Sequence, residues 1–211
     1  MKCLYKDLCL ICVELKKHLP FSILSACLAI IVMAFLSITI GNRLLLQAGK
    51  ELFHVFHPLH ILTSAATTTA MYWIHRRKII NAIIIGILGA IVTCSLSDIV
   101  FPFLGGRLLF VKMHFHLCVL EHPLTLIPFL LVGIIAGFVS PEVLENSTIY
   151  SHSVHIFLST MASLFYLVSF GFAETMHFIG PVFVIVVFVV LIPCCLSDIV
   201  FPLIFVKEKK E

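Results

Sequence analysis

Leu96-Ser97-Asp98-Ile99-Val100-Phe101-Pro102 recurs residue for residue as Leu196-Ser197-Asp198-Ile199-Val200-Phe201-Pro202, with Cys94 before the first copy and Cys194 before the second. Identity over seven consecutive residues marks an internal duplication, and the flanks extend it. His57-x-x-His60 followed by Ser64 has its counterpart in His152-x-x-His155 followed by Ser159, and Lys17-His18-Leu19-Pro20 has a looser one in Glu121-His122-Pro123. The duplicated unit is therefore a whole supersecondary element rather than one motif.

Both copies lie in apolar surroundings. The 211 residues are 61% hydrophobic and only 12% charged, with a mean hydropathy of +1.14, well outside the balance of a water-soluble domain. Six stretches, at 21–41, 52–74, 79–104, 123–140, 148–172 and 178–206, are long enough as helices to cross a hydrocarbon core of about 30 Å. They are read as helices because backbone polar groups in lipid must find partners within their own segment. The predicted fold is an all-α, polytopic integral membrane protein of six transmembrane helices, arranged as two inverted three-helix repeats after a short amphipathic helix. Residues 1–17 form that helix, 18–106 the first repeat, 107–122 a connection, 123–206 the second repeat and 207–211 a charged tail. The first stretch is too long for a signal-peptide core and is expected to be retained.

Three spans per unit force the second copy to enter the membrane from the opposite side, which makes the repeats inverted, a recurring plan of secondary transporters. The basic residues orient the whole. Ten of the 14 Lys and Arg residues fall on the side of the termini and four on the other, which predicts cytoplasmic termini in a plasma (inner) membrane. The net charge of +3 is accounted for by this distribution and points to no nucleic-acid partner. The eight cysteines lack the spacing of a disulfide framework. Cys9-x-x-Cys12 reads as incidental cysteines on an apolar face rather than as a thiol metal or redox site.

Asp98 and Asp198 are the leading functional candidates, because an ionisable group inside a span is costly unless paired, hydrated or metal-bound. The competing reading is an aspartate that caps backbone next to a proline kink. His57 and His60, three apart, share a helix face, as do His152 and His155. The predicted topology puts His57, His60 and Asp98 about 6–12 Å inside the outer boundary, and His152, His155 and Asp198 inside the inner one. His122 and His18, at helix starts, are placed to complete the outer and inner clusters. Imidazole and carboxylate suit Zn²⁺, Mn²⁺, Fe²⁺, Co²⁺ or Ni²⁺. Cys94 and Cys194 read as packing residues in preference to soft ligands, and the run Thr63-Ser64-Ala65-Ala66-Thr67-Thr68-Thr69-Ala70 as a close-packing surface.

The expected function is a small transporter for a divalent transition-metal cation with proton or ion coupling. Its partners would be the lipid bilayer and the metal ion, with a homodimer as a candidate assembly. No phosphate-binding loop, nucleophile elbow or His-Glu-x-x-His motif is present, which argues against ATP hydrolysis and for a non-enzyme. The alternatives are a di-haem b-type electron carrier, an intramembrane metal-dependent hydrolase with Glu121 as its only obvious base, and a membrane accessory subunit.

Overall fold

The computed structural model of the protein describes residues 2–142, 148–171 and 179–195. It is all-helical, with no strand among the described residues. The elements are α1 (Lys2–His75), α2 (Ile79–Ser95), a π-helical turn (Leu96–Val100), α3 (Phe101–Leu108), α4 (Cys118–Glu121), α5 (Pro123–Val139), α6 (Thr148–Phe170) and α7 (Ile179–Cys195).

Helix α1 spans 74 residues and is broken only at Gly41, where φ is 73° and ψ 159°. Such a backbone is open to glycine and costs any residue with a Cβ about 1–3 kcal/mol. The expected loop at 42–50 is thus a single glycine, after which the leucine-rich Leu44-Leu45-Leu46 resumes the helix. The segment 2–17 runs into the first span without interruption, since no glycine or proline precedes Pro20.

Among the described residues, three helices are long and apolar enough to cross a membrane: Leu19–Gly41, Ile79–Leu108 and Ser153–Phe170. Pro123–Val139 and Ile179–Cys194 are shorter apolar helices. The stretch at 52–74 is helical but does not join them, because His57, His60 and a run of Ser and Thr lower its hydropathy. Its compensation is burial. Phe53, His57, Ile61, Ser64, Ala65, Thr68 and Thr69 are all inaccessible, and α1 packs against α2, α5, α6 and α7.

Close approach to this polar arm rests on glycines. A Cβ on Gly133 of α5 would overlap the Leu62 carbonyl, and one on Gly137 would come 2.7 Å from the Ala66 carbonyl. Gly133 and Gly137 thus form a Gly-x-x-x-Gly contact along the arm, the small-residue device by which helices associate in lipid. The outer surface is the inverse of the interior: Ile38, Ile80 and Leu124 are more than 70% exposed, whereas Ser97, Asp98, Ser159 and Ser163 are fully buried. Polar groups inside and large apolar side chains outside are what a lipid solvent selects, and the protein is a membrane protein.

Gly133→Ala should lower the free energy of unfolding in detergent micelles by about 1–3 kcal/mol, the usual cost of overpacking. Ile135→Ala on the opposite, exposed face of the same helix should change it by less than about 0.5 kcal/mol. An SDS titration of both variants measures the difference.

Candidate metal centre

The first copy of the heptapeptide builds an unusual turn. Pro102 has no N–H to offer the carbonyl four residues back, and its ring would clash there. The helix widens instead, and the Phe101 N–H bonds the Leu96 carbonyl, five residues back. Single π-turns of this kind are frequent at functional sites because they re-aim one side chain. Here that side chain is Asp98, which turns into the bundle.

Its carboxylate is saturated. Oδ2 accepts the Nδ1–H of His57 and of His60, each at 2.8 Å. Oδ1 accepts the hydroxyls of Ser97 at 2.7 Å and Ser159 at 2.8 Å. Four donors for two oxygens fill the acceptor capacity of an ionised carboxylate, and they come from α1, from the π-turn itself and from α6. The Ser163 hydroxyl adds a 3.0 Å bond to the Ser97 carbonyl.

These bonds fix the histidine tautomers. Because His60 donates from Nδ1, its Nε2 carries a lone pair. His155 of α6 is held from the other side. Its Nδ1 lies 3.2 Å from the Thr63 hydroxyl, and that hydroxyl lies 3.0 Å from the His60 carbonyl. Thr63 can accept from His155 Nδ1, which leaves His155 Nε2 an acceptor, or donate to it, which puts the hydrogen on His155 Nε2. The two Nε2 atoms face each other at 3.0 Å, and the Cys194 sulfur lies 3.8 Å from the His60 member. Donor atoms of His60, His155 and Cys194 all lie within 4.8 Å of one another, and all three residues are buried. A hydrogen on His155 Nε2 makes this contact an N–H···N bond, whereas with a lone pair on each nitrogen a proton or a metal ion must sit between them.

The distances suit a metal. With metal–nitrogen bonds of about 2.0–2.1 Å, neighbouring ligands of a tetrahedral ion stand about 3.3 Å apart and ligands on opposite sides of an ion about 4 Å apart. The observed 3.0 Å is nearer the first arrangement, and it is also the length of a hydrogen bond between two imidazoles.

The structure brings His57, His60 and Asp98 together, and adds to them His155, which the sequence reading had grouped with Asp198 near the opposite face. His122 does not join this cluster as expected. It lies instead beside His54 and His116, because Pro123 starts α5 at the end of the 109–122 connection. The side chains of His18 and His152, and the whole of Asp198, lie outside the described residues. Sequence reasoning treated Thr63 and Cys194 as packing groups. The duplication of Ser64 as Ser159 and of Cys94 as Cys194 was the available signal for two of the participants. Comparison with protein-family models, with curated proteins and with solved structures gives no match.

Ser159→Ala removes one of the four donors to a buried carboxylate. The expected loss is about 1–3 kcal/mol of unfolding free energy, read by denaturant titration of the purified variant beside the wild type.

Proposed function

We propose that the protein is a small membrane transporter of a divalent transition-metal cation, with six spans in two inverted three-helix repeats and the cation as its cargo. The observation that carries this reading is the facing pair of imidazole nitrogens, His60 Nε2 and His155 Nε2 at 3.0 Å, with Cys194 beside them in the buried interior. Asp98 touches no cargo in this reading. Its lone pairs are taken by His57, His60 and the two serines, and it orients the His60 ring, as carboxylates beside ligating histidines do.

The repeat supports the same reading. His60 and His155 are equivalent positions in the two copies, and equivalent residues meet only beside the axis that relates the copies. A site at the interface of inverted repeats is where transporters of this plan hold their cargo. The five apolar helices and the polar arm of α1 are compatible with six spans, and the excess of Lys and Arg on the side shared by the termini and the 75–78 connection supports cytoplasmic termini.

Charge suggests the coupling. Without metal, one proton shared by the two imidazoles balances Asp98, and the Cys194 thiol is neutral. A divalent ion bound by both histidines and the Cys194 thiolate balances the same carboxylate plus the new thiolate. Loading one M²⁺ thus expels two protons, one from the imidazole pair and one from the thiol, and leaves the charge of the described cluster unchanged. The burial of an uncompensated charge, which costs several kcal/mol, is avoided in both states.

The facing histidines disfavour the haem reading, since two axial ligands need about 4 Å between their nitrogens with iron midway. A hydrolase fares no better: Glu121 pairs with His116 in the 109–122 connection, away from the central cluster.

In proteoliposomes enclosing a fluorescent Zn²⁺ indicator, wild-type protein should take up Zn²⁺ with counterflow of protons, at a rate unchanged when the membrane potential is clamped. His60→Ala and Cys194→Ser should each slow uptake at least ten-fold at equal incorporation. Undiminished uptake in both variants refutes the proposal, and a Soret band in the purified protein would favour the electron carrier.

A further inference from the structure

A second set of histidines stands outside the central cluster and shares no residue with it. His54 is one turn before His57 on α1, while His116 and His122 bracket α4. Hydrogen bonds fix the tautomers of His54 and His116. His54 Nδ1 donates to the Lys50 carbonyl at 2.7 Å, and His116 Nδ1 donates to Glu121 Oε2 at 2.7 Å. Both Nε2 atoms are therefore acceptors, and they face each other at 3.2 Å. His122 closes the group, its ring 5.0 Å from that of His54 and 5.5 Å from that of His116. The three ligand atoms lie within 4.8 Å of one another.

The connection that carries two of these residues is pinned down. The His116 N–H donates to the Tyr166 hydroxyl at 3.1 Å, the His114 N–H to the Phe170 carbonyl at 2.8 Å, and the Phe170 ring stacks on His116 at 4.8 Å. Met113 is seated between Gly106 and Gly171, where a Cβ on either glycine would collide with it. Glu121 is held in turn by the Leu117 N–H at 3.1 Å. That bond, with the His116 contact, keeps its carboxyl below the usual range and so ionised. Burial holds the His116 imidazole below its ordinary range. The Cys118 thiol, 3.5 Å from His116 Nε2, is pushed up to about 12 by its burial and stays protonated. The donor set offered to an ion is three imidazoles.

We infer that His54, His116 and His122 form a second binding site for a divalent transition-metal ion, with Glu121 fixing the tautomer and orientation of His116. Three imidazoles leave one tetrahedral position open, and the burial of the three residues grades from His116, buried, through His54, half-buried, to His122, exposed. The ion would be reached from solvent through that open side. A site of this character accepts and releases ions readily, unlike the buried central cluster. It stands whether or not the central cluster carries metal.

The test uses the full chain in detergent micelles with Co²⁺ as the probe, followed by equilibrium dialysis and by the visible spectrum of the bound ion. His122→Ala is the principal variant because His122 is exposed and its loss disturbs no packing, with His54→Ala as the second. Each should weaken one Co²⁺ site at least ten-fold, and neither should alter a thiolate-to-cobalt charge-transfer band. Cys194→Ser should do the reverse: it should abolish that band and leave the three-histidine site at wild-type affinity. If the wild type binds a single Co²⁺ that His122→Ala removes, the central reading fails and this one stands. Wild-type affinity and stoichiometry in both His122→Ala and His54→Ala overturns it.

Discussion

A buried carboxylate tolerates no vacant acceptor position, and the interior of this bundle is arranged around that requirement. Asp98 draws two imidazoles from α1, one hydroxyl from its own turn and one from α6. The desolvation of such a group is of the same order as the charge-assisted bonds it makes. The network is therefore closer to a register device than a source of net stability. Sliding α1 by one residue would leave the carboxylate with half its donors in a dry interior, and sliding α6 would remove one of the four. That alternative is excluded by several kcal/mol.

The same requirement explains the polar arm of α1. A helix with His57, His60, Ser64, Thr68 and Thr69 on its surface would be a poor transmembrane helix by itself, yet each of these side chains is buried among neighbouring helices. The neighbours approach closely enough because Gly133 and Gly137 expose their backbone to it. With little apolar driving force between helices in lipid, close packing and interhelical hydrogen bonds supply the association. Both come from residues that look undistinguished in the sequence.

Two histidine pairs in the molecule follow one rule. In each, Nδ1 lies against an oxygen, a carboxylate in one ring and a hydroxyl or a backbone carbonyl in the other, and the two Nε2 atoms face each other. The pairs differ in setting. The central one is buried and has a cysteine beside it, while the other opens on solvent and adds a third histidine. His54, His57 and His60 recur at one-turn spacing on the same helix, with Phe53 stacked on His57 at 5.3 Å. His57 Nε2 has no hydrogen-bond partner among the described residues. A single helix face thus carries a residue of each cluster and one between them.

The sequence by itself determined the helical, membrane-embedded character of the chain, because hydropathy and the backbone's need for internal hydrogen bonds act locally. It also singled out Asp98 and the His57–His60 face, since a charged group in an apolar stretch and a three-residue spacing are both visible without neighbours. It overstated the punctuation of α1: the polar residues at 42–50 read as a loop, but only the backbone angles of Gly41 interrupt the helix. The tertiary structure alone decided which histidines meet. His60 and His155 are 95 residues apart, and His54 and His116 are 62 apart. Their pairing depends on how far α6 and the 109–117 connection advance along α1. That advance is set by glycine contacts, by the π-turn at Asp98 and by Tyr166 and Phe170, none of which leaves a periodic trace in the chain.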